Sequence, residues 1–435
     1  MFPKVYVLRR LLIEEHTTYL NAGMTSTRVY WMMFEDIFEL IKDASLALKS
    51  VVHRTPLTYS TYFSRLTGKN VYLKLENLQK TGSFKVRGAY NKIRSLVPEA
   101  CERGVIAAST GNHAQGVAYA ARELGVRATI VMPETAPPYK ITSTRSYGAE
   151  VLLYGKVYDD AYRKAVEISM KTGAFFIHPY DDPLVIAGQG TIGLEISEDL
   201  PQVDAVIVPV GGGGLISGIA IALKNVIGSH VKVYGVEPAS APKLKEALMH
   251  NVPVTITPSP SLADGVVTKG VGRLTFRIMK ELVSDVLLVN EDDIARAMYL
   301  LLERAKLLAE GAGALPLAAL LSNPDAIKGK NVVAVISGGN ADLTTLYRVI
   351  LRGLMVEGRI AKVMLMLKDV PGTLEHALKV ISQLRCNIID VRHDRLSPEI
   401  LPGYARVEVL IEVPDIETMR VLKEELVKQG VKVVH

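Results

Sequence analysis

Cysteine is almost missing. Cys101 and Cys386 are the only two in 435 residues, and they lie far apart in sequence. That excludes a disulfide framework and a cysteine-rich metal site, and it fits a reducing cytoplasm. A basic cluster is missing too. The formal charge is +6 with a pI near 9.0, but Lys and Arg alternate with Asp and Glu almost everywhere. The excess reads as solubility and a mild attraction for small anions, not as a nucleic-acid surface. No G-x-x-x-x-G-K-[ST] motif occurs, and there is no internal repeat or low-complexity stretch. Uninterrupted apolar runs of membrane length are absent as well. The uncharged run Ala205 to Leu223 contains Pro209 and Gly211-Gly212-Gly213-Gly214, which suits a buried strand, a tight loop and a helix rather than a bilayer span. Arg9-Arg10 precede too short an apolar run for a signal peptide, and no small-residue cleavage site follows. Residues 1–33 read as a poorly ordered extension, or else the natural start lies later, at Met24 or Met33.

What is present is a globular composition, 49% hydrophobic and 22% charged, in a chain long enough for two or three domains. Short apolar runs rich in β-branched residues alternate with helical patterns from about residue 34 to 340. The strands expected are Val71–Leu75, Val105–Ala108, Ala128–Met132, Val151–Tyr154, Ala205–Val210, Lys232–Glu237, Val286–Val289 and Val332–Ile336. The helices expected are Phe34–Leu48, Lys85–Leu96, His113–Leu124, Tyr158–Thr172, Gly190–Asp199, Leu215–Val226 and Glu291–Leu308. Continuous apolar strands joined by helices imply parallel sheets covered on both faces. So many strands favour two sheet regions over one.

The pattern changes after Asn340. A helical stretch, Leu343–Met355, leads to a self-contained segment of about 75 residues. It reads strand (Ile360–Leu367), helix (Thr373–Leu384), strand (Asn387–Arg392), strand (Tyr404–Glu412), helix (Asp415–Lys428), strand (Val431–Val434). That βαββαβ order is the ferredoxin-like arrangement. The fold class is therefore α/β with an added ferredoxin-like unit. Domain boundaries are drawn at 1–33 for the extension, 34–342 for the α/β region with a smaller subdomain at about 80–187 inserted in it, 343–359 for a linker helix, and 360–435 for the terminal unit.

Four segments carry chemistry. In Thr81-Gly82-Ser83-Phe84-Lys85-Val86-Arg87-Gly88-Ala89, a lysine sits between apolar neighbours where a loop enters a helix. Most lysines are simply solvated, but one held among apolar groups gives up its proton more readily and becomes a nucleophile. In Ser109-Thr110-Gly111-Asn112-His113-Ala114-Gln115-Gly116, a loop follows a strand and opens a helix. Such residues are ordinary helix caps, and the same geometry binds an anion on free N–H groups. Gly211-Gly212-Gly213-Gly214-Leu215 lacks the G-x-G-x-x-G spacing but lets several backbone N–H groups converge on one small anion. Ser337-Gly338-Gly339-Asn340, after the last α/β strand, reads alone as a turn.

Together and in this order, the segments resemble the serine/threonine dehydratase branch of the fold-type-II pyridoxal-phosphate enzymes. The resemblance spans roughly residues 34 to 435. It implies pyridoxal 5'-phosphate as cofactor, with Lys85 as its Schiff-base anchor and general base and Phe84 beside it. It makes Asn112 the partner of the ring hydroxyl, Gly211, Gly212, Gly213, Gly214 and Leu215 the phosphate cradle, and Ser337 the partner of the ring nitrogen. Ser109, Thr110, Gly111, Asn112 and His113 would hold the substrate carboxylate. Glu310, in Ala309-Glu310-Gly311-Ala312-Gly313-Ala314, resembles a glutamate element on the substrate side of the ring. The implied reaction is β-elimination of L-threonine to 2-oxobutanoate and ammonia, with L-serine as a secondary substrate. A serine at the position of Thr110 acts as a second base in racemases, so Thr110 is a candidate catalytic residue and racemization of serine stays an alternative. A non-catalytic amino-acid sensor is the alternative of another class.

Two further features follow from the resemblance. Relatives often bind a divalent cation through a Val-Glu-Pro segment and an acidic residue six positions on. Val236-Glu237-Pro238 is present, but the sixth position after Glu237 is Lys243, whose ammonium repels a cation that needs oxygen donors. No metal is expected. Lys368-Asp369-Val370-Pro371-Gly372-Thr373-Leu374 resembles the first loop of ACT domains, which pair and bind an amino acid. An amino-acid effector, a homodimer or homotetramer, and a cytoplasmic location without membrane or nucleic-acid partners are the remaining expectations.

Overall fold

The computed structural model describes residues 34–434; the expectation for residues 1–33 lies outside them. The chain divides into two compact units, one ending at Ala341 and the other beginning at Asp342.

The strands of the first unit are β1 (Leu57–Tyr59), β2 (Asn70–Leu75), β3 (Val105–Ala108), β4 (Ala128–Met132), β5 (Glu150–Leu153), β6 (Phe175–Phe176), β7 (Ala205–Pro209), β8 (Lys232–Pro238), β9 (Asp285–Val289) and β10 (Asn331–Ile336). They form two sheets. The larger has the order β1-β2-β10-β7-β8-β9, and the smaller β5-β4-β3-β6. All neighbours run parallel except β1, which pairs antiparallel with β2. Strands β7 and β10 are nearly wholly apolar and buried, because helices cover both faces of a parallel sheet. The edge strands β1 and β6, of three and two residues, were not foreseen; runs that short carry no readable period.

The helix expected from Gly190 begins seven residues earlier, at Pro183. Asp182 caps it, its carboxylate accepting from the N–H groups of Leu184 at 2.8 Å and Val185 at 3.1 Å. Proline at the first helical position needs no N–H. Gly188, Gly190 and Gly193 happen to match G-x-G-x-x-G, yet they lie mid-helix and serve close packing. A Cβ on Gly188 would sit 2.5 Å from the Arg87 carbonyl oxygen, and one on Gly190 2.9 Å from that of Gly218. This buried helix therefore rests directly against the helices Lys85–Ser95 and Gly214–Val226. The helix Gly311–Ser322 was also missed. It is buried almost all round and contains Pro316, so it shows no amphipathic stripe.

A buried charge network fixes the helix that begins at Lys85. Arg87 is fully buried, as is Glu76 just after β2. The Arg87 guanidinium donates to both oxygens of Glu76, at 2.8 and 2.9 Å, and to Glu195 Oε1 at 2.7 Å. Lys74 Nζ donates to Glu195 Oε2 at 2.5 Å. The paired groups satisfy one another's charge, which is the condition for burying ions at all.

The second unit begins with the helix Leu343–Val356, followed by β11 (Ile360–Lys368), a helix Thr373–Gln383, β12 (Asn387–Asp394), β13 (Tyr404–Glu412), a helix Ile416–Lys428 and β14 (Lys432–Val434). Its sheet order, β12-β13-β11-β14, is antiparallel throughout. This is the ferredoxin-like order expected from the sequence. Leu365, Val407, Val409 and Ile411 from the sheet meet Ile381, Leu422 and Leu426 from the two helices in one apolar core.

Candidate active site

A cavity of about 630 Å³ opens in the first unit, at the C-terminal ends of β3 and β7. Every candidate site residue lines it: Phe84 and Lys85, the loop Ser109 to His113, Gly211 to Leu215, Glu310 and Ser337. In sequence these groups stand up to about 250 positions apart; the two sheets bring them together.

Lys85 is the first residue of its helix. Its Nζ lies 5.2 Å from the centre of the Phe84 ring and donates to the Pro179 carbonyl at 2.9 Å. Burial lowers its pKa to about 8, against the opposing pull of Glu310. The neighbouring helix, Asn112–Glu123, passes close by because Gly116 has no side chain; a Cβ there would lie 3.0 Å from the Lys85 carbonyl carbon.

Gly212, Gly213 and Gly214 have no room for a side chain. A Cβ on Gly212 would sit 2.2 Å from the Tyr180 ring, and one on Gly213 2.6 Å from Met279 Cε. Gly213 also has φ +99°, a backbone that side chains rarely adopt. Thr275 Oγ1 donates to the Gly212 carbonyl at 2.7 Å. The Gly212 carbonyl is thus engaged away from the start of the helix Gly214–Val226, whose first N–H groups carry positive potential.

A side-chain relay crosses the opposite wall. Asn340 Nδ2 donates to the Thr81 carbonyl at 2.8 Å and to Asn112 Oδ1 at 2.7 Å, and Asn112 Nδ2 donates to Glu310 Oε1 at 2.6 Å. Glu310 is buried, and desolvation, aided by Asp264, pushes its pKa up to about 7. His113 donates from Nε2 to the Ile177 carbonyl at 2.9 Å; burial and Lys85 hold it neutral, with a pKa down to about 3.

Sequence reasoning missed several lining residues. Asn340 ends a quoted motif, so its signal was available. His178 and Tyr180 follow β6 and line the cavity; His178 Nδ1 accepts from the Asp181 N–H at 2.8 Å, so the ring is a fixed neutral acceptor there. Two ion pairs, Lys140–Asp264 at 2.9 Å and Lys269–Asp159 at 2.5 Å, join the helices that follow β4 and β5 to the segment after the helix Lys243–His250. All four residues line the cavity. Nothing in their sequence context marks them.

A lysine of lowered proton affinity, a loop of glycines opening a helix and a polar side-chain relay share one cavity, an arrangement compatible with a cofactor-dependent enzyme of the pyridoxal-phosphate type. The family model for "Pyridoxal-phosphate dependent enzyme" matches residues 48–338, and the chain belongs to that family. The particular relatives are as follows. An L-threonine ammonia-lyase of Thermotoga maritima is 49% identical over 395 residues, covering 91% of this chain and 98% of that protein. Threonine deaminase isoform 2 of Solanum lycopersicum shares the fold with a TM-score of 0.69 at 41% identity, over 72% of this chain and 87% of that one. Maize serine racemase matches with a TM-score of 0.69 at 35% identity, over 74% and 98%. The chain depends on pyridoxal phosphate. The cavity fits that group: a loop of glycines at a helix start, too crowded for side chains at Gly212 to Gly214, lines it together with an amine of reduced basicity. Among the described residues no helix is long and apolar enough to cross a membrane.

Proposed function

We propose that this protein is a threonine ammonia-lyase, converting L-threonine to 2-oxobutanoate and ammonia and acting more slowly on L-serine. The carrying observation is that Lys85, the Gly211–Gly214 loop and the Ser109–His113 loop face one cavity. The similarity to threonine ammonia-lyases supports the substrate.

When bound, pyridoxal phosphate supplies the electron sink that stabilises negative charge at the substrate α-carbon. Lys85 Nζ would hold the cofactor, the N–H groups of Gly211 to Gly214 with Leu215 its phosphate, Asn112 its ring hydroxyl and Ser337 its ring nitrogen. The Ser337 hydroxyl, unlike a carboxylate, would not enforce a proton on that nitrogen, which would favour elimination of the β-hydroxyl. The backbone N–H groups that open the helix Asn112–Glu123, with Ser109, Thr110, Gly111 and His113, orient the substrate carboxylate. Lys85 Nζ, with its pKa near 8, is poised to take the α-proton. Glu310, its pKa raised to about 7 by burial, is in part protonated at neutral pH and so opposes the substrate carboxylate less than an ordinary carboxylate would.

A second reading has two supports: Thr110, a hydroxyl-bearing residue, lines the cavity, and a serine racemase is among the similar structures. Chiral analysis of the amino acid recovered from L-serine separates racemization from elimination. Residues 360–435, the ferredoxin-like part of the second unit, are read as an ACT-type regulatory domain that binds an amino acid, in a dimer or tetramer; the antiparallel sheet and the Asp369-Val370-Pro371-Gly372 loop support that reading.

The test is direct. Reconstituted protein should gain a visible absorbance band, borohydride should fix the cofactor to residue 85, and 2-oxo acid should be released from L-threonine. Lys85→Ala should lose the band and lower turnover about 1000-fold or more. A variant that keeps both refutes the assignment.

A further inference from the structure

Lys243 opens the helix Lys243–His250, a place where side chains usually meet water, yet it is wholly buried. Its Nζ donates to the Val210 carbonyl at 2.9 Å, to Glu237 Oε1 at 3.1 Å and to the Ala241 carbonyl at 3.3 Å. An ammonium carries three N–H bonds, and here each has an acceptor. Glu237, the carboxylate near the end of β8, is equally buried. It also accepts from the N–H groups of Leu244 at 2.8 Å and Lys245 at 3.0 Å, capping the same helix. The ammonium thus ties together the end of β8, the start of a helix and Val210. Val210 is the residue immediately before Gly211, where the glycine loop leaves β7.

That loop has four consecutive glycines and little stiffness of its own. Its entry point is held by Val210, whose N–H donates to the Val236 carbonyl at 2.9 Å and whose carbonyl accepts from Lys243. We propose that Lys243 is a tethered cation that positions the glycine loop for phosphate binding, and that shortening its side chain opens an oxygen-lined hole that a soluble monovalent cation fills in its place. The proposal rests on the reading that this loop holds the cofactor phosphate.

The chemistry of the hole decides which ion it takes. Removing the side chain leaves one carboxylate oxygen and two carbonyl oxygens, a hard-donor set that attracts cations. The three distances, 2.9 to 3.3 Å, exceed the 2.0 to 2.6 Å or so that Mg²⁺ and Ca²⁺ demand. They suit K⁺ or NH₄⁺, the latter being the lysine head group without its tether. Without an ion, Glu237 would be a buried charge with no counter-charge, and its repulsion of the Val210 carbonyl would loosen the loop entry.

The experiment uses the full chain as Lys243→Ala. Pyridoxal phosphate is titrated by absorbance, and the melting temperature is recorded, with tetramethylammonium chloride replaced stepwise by KCl or NH₄Cl at constant ionic strength. Wild type should bind the cofactor with the same affinity in every salt. The variant should bind it roughly tenfold or more weakly in tetramethylammonium, and recover most of the loss, with a higher melting temperature, in K⁺ or NH₄⁺. Unchanged cofactor affinity in tetramethylammonium, or a weakened affinity that no cation restores, overturns the proposal. Should Lys243→Ala fail to fold in every salt, the neutral double variant Lys243→Met/Glu237→Gln replaces it. That protein should bind the cofactor weakly and ignore the cation, and wild-type affinity in it would equally overturn the role. Wild-type protein that binds no pyridoxal phosphate would overturn the loop reading itself, and the proposal with it.

Discussion

Glu310 shows how one residue's surroundings outweigh its type. Its carboxyl is buried beside Asn112 and Asp264, and its pKa rises from 4.5 to about 7. Below pH 4.5 the group is protonated in both folded and unfolded chains and costs nothing. As pH climbs through that interval the unfolded chain releases the proton first, so stability falls, and the cost is complete above about 7. Glu310→Gln keeps an oxygen for Asn112 to donate to and removes the charge. Its cofactor-free form should gain about 1–2 kcal/mol over wild type at alkaline pH, and nothing near the acid end; urea melts across pH check this. The glycine cradle gives the complementary case, where a single carbon is too much. Gly212→Ala would put that carbon against the Tyr180 ring, and cofactor affinity should fall roughly 10–100-fold while far-ultraviolet dichroism stays unchanged. Fluorescence titration with pyridoxal phosphate measures it.

At the scale of elements, the helix Lys85–Ser95 is the most consequential, because its first residue is the proposed cofactor anchor and its third is wired into the core. Arg87 satisfies Glu76 and Glu195 at once. Arg87→Met would leave Glu76 buried and largely uncompensated, and unfolding free energy should drop by about 3–5 kcal/mol, read from denaturant midpoints at constant slope. The start of this helix was legible in the sequence, and so were most strands of both sheets, because a buried parallel strand is a short β-branched run. The helices Pro183–Asp199 and Gly311–Ser322 were read late or not at all. Their glycines and Pro316 look like breaks in one dimension, and only packing against neighbouring backbones shows them as contact points. The ion pairs Lys140–Asp264 and Lys269–Asp159 were illegible for a related reason: more than 100 positions separate each lysine from its aspartate, and isolated charges carry no periodic pattern.

At the scale of the whole molecule, each of the two units has its own apolar core. The complete proposed catalytic set lies before Ala341. A chain ending at Ala341 should therefore bind pyridoxal phosphate and release 2-oxo acid from L-threonine. Any response of the full chain to isoleucine or valine should vanish in it, because that response is assigned to the ferredoxin-like unit. Parallel assays of the two chains with and without each amino acid decide this, and an effector response surviving in the short chain would place the regulatory site elsewhere.

The amino-acid order alone determined the α/β class, the terminal βαββαβ unit, and the residues proposed to anchor and cradle the cofactor, because periodicity, capping and backbone freedom act over a few neighbouring residues. Only the folded structure decided that Asn340 would lock Asn112, that Glu310 would hold its proton to near neutrality, and that Lys243 would sit dry against Glu237 beneath the glycine loop. Those outcomes depend on desolvation and on distances between segments remote in sequence, which no local pattern encodes.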